Sequence, residues 1–182
     1  MGYWAVDIAI QNSIVWNNED SSGIGTAESS IYHADAAFTA TFSHTLVQGC
    51  NPSGAWVASC GIDGGNNLAD ADPLFVDTPN PSTAPHANGN VRLLAGSPAI
   101  DAGDNSANNT AVDLDGHGRI QNGVIDLGAY ETATAVCPPS GLLYVNHAAT
   151  GGNAGTSWAD AYTNLQSALT FLSEPCEIWV AR

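Results

Sequence analysis

Asn12-Ser13-Ile14-Val15-Trp16 and His44-Thr45-Leu46-Val47-Gln48 are two short runs rich in apolar and β-branched residues, and their equivalent positions lie 32 residues apart. Each is followed by Asn- or Gly-rich chain that breaks a strand. The pattern recurs: Ile8–Trp16, Ala40–Val47, Pro73–Val76, Val91–Leu94, Val124–Leu127 and Leu142–Val145 are all short apolar runs closed by turn residues. Successive runs step by 32, then about 28, then about 19 residues. One short strand retained per irregular period predicts an all-β fold, a β-solenoid with loops of variable length. A single coil cannot bury its own strand, so the coils are expected to stack.

Two loops, 17–40 and 51–71, are long and carry their own aromatic residues. Loops of that length in a compact domain are functional or separately tied down. Residues 132–141 read as a Thr/Ala/Pro linker, which divides the chain into a solenoid part, 1–131, and a tail, 142–182. The tail begins with a strand, Leu142–Val145. Its helix signal is Ser157-Trp158-Ala159-Asp160, a capping box followed by Trp158, Tyr162, Leu165, Leu169 and Leu172 at helical spacing. Ser173-Glu174-Pro175 is the expected stop, and Glu177–Val180 the last strand.

Eighteen acidic residues, 13 of them Asp, stand against three arginines and no lysine, for a net charge of −15. Arg92, Arg119 and Arg182 cannot form the basic surface that collects phosphates, which excludes sequence-independent nucleic-acid binding. No apolar run approaches the roughly 18 residues of a membrane-spanning helix, so no membrane insertion is expected. Abundant Asp, Asn, Gly, Ser and Thr make a turn-rich β-type composition, common among bacterial extracellular proteins.

Cys50, Cys60, Cys137 and Cys176 admit three connectivities, with Cys50/Cys60 and Cys137/Cys176 as the local pairings. No Cys-x-x-Cys or neighbouring His pair supports a zinc site. Disulfides and an oxidising compartment are expected. Met1-Gly2-Tyr3-Trp4 begins neither a secretion signal nor a myristoylation site, so either a signal has been removed or the chain is a piece of something longer.

Asn12-Ser-Ile-Val-Trp-Asn-Asn, Asp70-Ala-Asp72-Pro73-Leu-Phe-Val-Asp77, Arg92-Leu-Leu-Ala-Gly-Ser-Pro-Ala-Ile-Asp101-Ala-Gly, Asp113-Leu-Asp115-Gly and Ile125-Asp126-Leu-Gly-Ala-Tyr-Glu131 form an ordered set over residues 12–131. That set resembles the C-terminal half of bacterial secreted right-handed parallel β-helix proteins of the pectate-lyase-like superfamily, choice-of-anchor Q type. The tail, Leu143-Tyr-Val-Asn-His through Trp158-Ala-Asp-Ala-Tyr162, is similar to the strand and capping helix that open such a β-helix. The resemblance thus implies the end of one β-helix followed by the beginning of another. It implies secretion or display at the bacterial surface, and stacking on adjacent β-helix modules or on copies of the chain, as a tandem array or a head-to-tail filament. The assembly residues would be Leu143, Tyr144, Val145, Trp158, Tyr162, Leu165, Leu169, Ile178, Trp179 and Val180.

Asp113-Leu-Asp115-Gly116-His117-Gly118 carries carboxylates at positions one and three of a calcium loop and Gly at six, but His117 at five and Val124 at twelve depart from it. Calcium is the one cofactor this pattern suggests, held by Asp113, Asp115 and Asp126, with Asp101, Asp104 and Glu131 also within the same region. Gly116-His117-Gly118-Arg119-Ile120 is similar to two polygalacturonase motifs fused into one loop, but Gln121 replaces the Lys and the paired catalytic carboxylates are missing. A lyase needs a free Arg or Lys base, whereas Arg92 and Arg119 are expected to pair with Asp101 and Asp115 as structural links. Trp16, Trp56 and Trp4, with Tyr32 and Tyr3, could stack neutral sugars. The expected function is a non-catalytic extracellular structural or adhesive β-helix module, with no catalytic residues. The alternative is a carbohydrate-binding or carbohydrate-active β-helix, lyase- or hydrolase-like, with glycans as partners.

Overall fold

The computed structural model describes residues 8–33, 39–84, 89–121, 123–132, 140–151, 155–170 and 176–182. Strand β1 (Ile8–Val15) lies parallel to β4 (Ala40–Val47) at a constant offset, Ile8 opposite Ala40 through Val15 opposite Val47. The 32-residue spacing in the sequence is therefore the register of a real ladder. Asn12 and His44 drop out of it together, with φ of 49° and 48°. A left-handed residue advances the alternation of side chains by one, because it turns the chain where a strand would have continued. Ile10 and Val15 consequently face one core with Phe42 and Val47, while Ile14 and Trp16 face a second with Leu46. Two short strands thereby serve two cores.

Between those strands lie a small hairpin, β2 (Glu19–Asp20) with β3 (Gly23–Ile24), and a single helical turn, α1 (Ala27–Ser30). Thr26 and Ser29 cap that turn reciprocally at 3.0 Å. Gly49, at φ +80°, crosses against it, where a Cβ would meet the Ala27 nitrogen at 2.4 Å. The loop after β4 is closed by the Cys50–Cys60 disulfide and returns as β5 (Ile62–Asp63), parallel to β4. Phe42, Val47, Cys50 and Cys60 form the first core, with Trp56 packed 5.5 Å from Phe42. Cys176 is also disulfide-bonded, and Cys137 lies outside the described residues.

The parallel β-helix is not what these residues build. After β5 the next two runs, β6 (Phe75–Asp77) and β7 (Asn90–Leu93), pair antiparallel with each other, Phe75 opposite Leu93 and Asp77 opposite Asn90, in a separate two-stranded sheet. No sheet among the described residues exceeds three strands. The run Val124–Leu127, expected as another rung, buries Ile125 and Leu127 as a strand would. Its amides nonetheless go to Asn105 Oδ1, Glu131 Oε1 and the Ala99 carbonyl. Two side-chain acceptors and a turn carbonyl thus stand where a ladder would have stacked another coil. Leu93, Ala99 and Leu127 complete the second core around Leu46, Trp16 and Phe75.

The tail has a core of its own. β8 (Leu142–Val145) and β9 (Glu177–Val180) are parallel, and Leu143, Val145, Tyr162, Ala168 and Ile178 pack on one side. The helix is shorter than the capping box predicts: α2 spans Leu165–Thr170. Ser157 and Asp160 do bond each other, Asp160 N to Ser157 Oγ at 3.1 Å, but they close a turn. Tyr162 then runs beside β8, donating to the Tyr144 carbonyl and accepting from Asn146 N. A backbone paired to a strand cannot also be helical, so the helix starts after it.

Candidate functional site: a carboxylate cluster locked by two arginines

The loop 113–119 brings Asp113, Asp115 and His117 together, with one ligand atom of each within 4.8 Å of the others. Both carboxylates are already engaged by donors. Asp113, whose side chain is fully buried, accepts from the amides of Asp115 and His117 on Oδ1, both at 2.8 Å. Its Oδ2 accepts from Glu131 N at 2.9 Å and faces His117 Nδ1 at 3.4 Å. Asp115 takes Arg92 in a two-pronged ion pair through Nε and Nη2, and the guanidinium lies 4.2 Å above the centre of the Tyr130 ring. The bonds to Asp115 raise the Arg92 pKa.

Asp126, expected as a third ligand, is held apart on its own donors, Asp101 N at 2.7 Å and Thr132 N at 2.6 Å. Arg119 pairs with neither Asp101 nor Asp115. It reaches Glu131 at 2.9 Å and donates to the Gly128 carbonyl at 3.1 Å. Glu131 is buried, and its Oε2 has no hydrogen-bond partner. Burial first, and the neighbouring Asp126 charge second, push its pKa up to about 7 against the opposing pull of Arg119. Burial likewise raises Asp126.

This arrangement fastens loops to the second core. An acid that performs hydrolysis must reach substrate, and Asp113 and Glu131 are sealed. Arg92 and Arg119 are both consumed by carboxylates. A cation entering between Asp113 and Asp115 has to displace Arg92 and compete with three peptide N–H donors. We therefore expect chelator or millimolar calcium to move the melting temperature by less than about 1 °C, since binding to the folded state stabilises only in proportion to its affinity. A calcium-dependent rise of several degrees in a thermal melt would reverse that assignment.

Of the aromatic residues considered for sugar stacking, Trp56 packs into the first core, Tyr32 is exposed, and Trp4 and Tyr3 lie outside the described residues. Trp16 alone lines a cleft, of about 790 Å³, together with Phe75. No spacing rule pairs residues 16 and 75; only the tertiary fold makes them neighbours. Tyr130 was equally invisible in the sequence as a platform for Arg92.

No family model, curated protein or solved structure matches the chain. No helix among the described residues is long and apolar enough to cross a membrane.

Proposed function

We propose that the chain is a non-catalytic extracellular structural or adhesive module that associates with copies of itself, or with adjacent modules, through its C-terminal segment. The observation that carries this reading is the outer face of the β8–β9 pair. Leu143, Val145, Tyr162 and Ile178, expected as assembly residues, are taken up by the tail's own core. Tyr144, Trp158 and Trp179 project from the opposite side, with ring centroids 4.8 and 6.1 Å from Tyr144. Trp158 and Trp179 are 43% and 46% exposed, and Leu165, Leu169 and Val180 are exposed too. Trp179 is oriented by its Nε1–H bond to Glu177 at 2.8 Å.

Strand β9 has β8 as its one neighbour, and among the described residues no strand pairs with its other edge, which runs beside this aromatic surface. A contact between that edge and a different surface of the next copy is heterologous and propagates head to tail. The disulfide supports an oxidising compartment. The absence of lysine and the engagement of Arg92 and Arg119 leave a strongly acidic surface unsuited to polyanions.

Sedimentation of the whole chain over a wide concentration range tests the reading. Its mass should rise with concentration, and Trp179→Lys should weaken association at least tenfold while leaving the melting temperature within about 2 °C, as expected of an exposed site. A monomer at every concentration, or association indifferent to Trp179→Lys, would sink it.

A further inference from the structure

The cleft beside Trp16 is a second feature, separate from the tail and from the arginine-locked carboxylates. We infer that it binds a neutral oligosaccharide. Its floor is apolar: Ile14, Trp16 and Phe75 all line it and all pack into the second core against buried Leu46, Leu93 and Leu127. A floor backed by a close-packed core presents its rings in fixed positions. Val91, 41% exposed, stands at the rim.

The two banks are pinned to each other. Asn17 Nδ2 donates to the Pro79 carbonyl at 2.8 Å, and Ser82 Oγ donates to Glu19 Oε2 at 2.6 Å, joining the chain after β1 to the segment after β6. Asn17 is itself fixed, at φ 58° and with its amide on Gln48 Oε1 at 2.7 Å. A cleft whose width is set by such crossings loses little freedom when a ligand enters. Its volume falls in the range of about 300–1,000 Å³ typical of small-molecule sites.

The ligand class follows from the lining. Aromatic rings on the floor take the C–H face of a pyranose, and Asn18 and Thr78, which also line the cleft, bring an amide and a hydroxyl for the sugar hydroxyls. Among the described residues that line the cleft there is no Lys, Arg or His, and Glu19 is the one ionisable side chain. A uronate or sulfated chain would bring negative charge toward Glu19, with no cation among the described lining residues to receive it. A purely apolar ligand would strand the polar rim without partners. The cleft is open to solvent, which suits a segment of a chain.

Calorimetric titration of the full chain with xylohexaose, cellohexaose, maltohexaose, chitohexaose and hexagalacturonate tests the inference. At least one neutral hexasaccharide should bind with one-to-one stoichiometry, and hexagalacturonate at least tenfold more weakly. Val91→Trp, which fills the cleft from an exposed rim position, should lower that affinity at least tenfold. Thr78→Trp repeats the obstruction from the neighbouring end of β6 should the first variant fail to fold. Failure of all four neutral sugars, equal binding of hexagalacturonate, or affinity unchanged in a folded obstructed variant would overturn it. Self-association is measured without sugar and on Trp179, so either proposal can fail while the other stands.

Discussion

Arg119→Ala is expected to destabilise the protein by about 3–5 kcal/mol at pH 8, the cost of leaving a buried carboxylate without its cation. Arg119 is the guanidinium at Glu131, and Asp126 adds a second acid to the same enclosure. At pH 5 the loss should shrink to about 1 kcal/mol, because Glu131 is then protonated and Arg119 contributes mainly its bond to the Gly128 carbonyl. The direction follows from linkage. Glu131 titrates near 7 in the folded chain against an ordinary value of 4.5, so between those pH values the folded state holds a proton that the unfolded state has released. Its contribution is complete below about 4.5 and lost as pH rises through about 7.

Glu131→Gln should therefore flatten that part of the wild-type stability profile and recover much of the Arg119→Ala loss in the double variant. Denaturant melts of the four proteins at both pH values supply the comparison. An Arg119→Ala loss of the same size at pH 5 and pH 8 would mean that packing, rather than the buried charge, is what Arg119 supplies.

Phe42→Ala should cost a similar amount, about 3–5 kcal/mol, for a different reason. Phe42 is fully buried between the β1–β4 ladder and the disulfide-closed loop, and Trp56 leans on its ring. Removing the ring leaves a cavity that the Cys50–Cys60 bridge and the paired strands restrain from collapsing. The near-ultraviolet signal of Trp56 should change with it. Ile62→Ala, on the exposed strand β5 beside it, should stay within about 0.5 kcal/mol. Equal effects at the two positions in a urea melt would show that the first core is not where the stability lies.

The distribution of those effects explains what could be read in advance. Strand β4 occupies Ala40–Val47, and β8 and β9 occupy Leu142–Val145 and Glu177–Val180, the ranges marked by their apolar runs. The 32-residue echo between the first two runs was legible because parallel neighbours in register need the same residue types at the same level. The Cys50–Cys60 pairing was legible as a local closure. An arginine link to Asp101 or Asp115 was legible too; Arg92 took Asp115, whereas Arg119 found Glu131. The helix start was misplaced because Ser157 Oγ accepts from Asp160 N as a cap would, but in a turn that has no helix directly behind it. The solenoid was misread because a run of apolar residues states that a strand is buried without stating its neighbour.

By itself, then, the sequence determined the extents of β4, β8 and β9, that acids outnumber bases sixfold, and that one echo of 32 residues exists. Apolar alternation, turn residues and charge are properties of neighbours along the chain. Only the tertiary structure decided that β6 turns back on β7, and that Asn12 and His44 switch both strands from one core to another. It also decided that Asp126 leaves Asp113 for other donors, and that Trp16 meets Phe75 across a cleft. Those outcomes depend on which buried amide finds which acceptor, a choice made by every part of the fold at once and written in no single stretch of it.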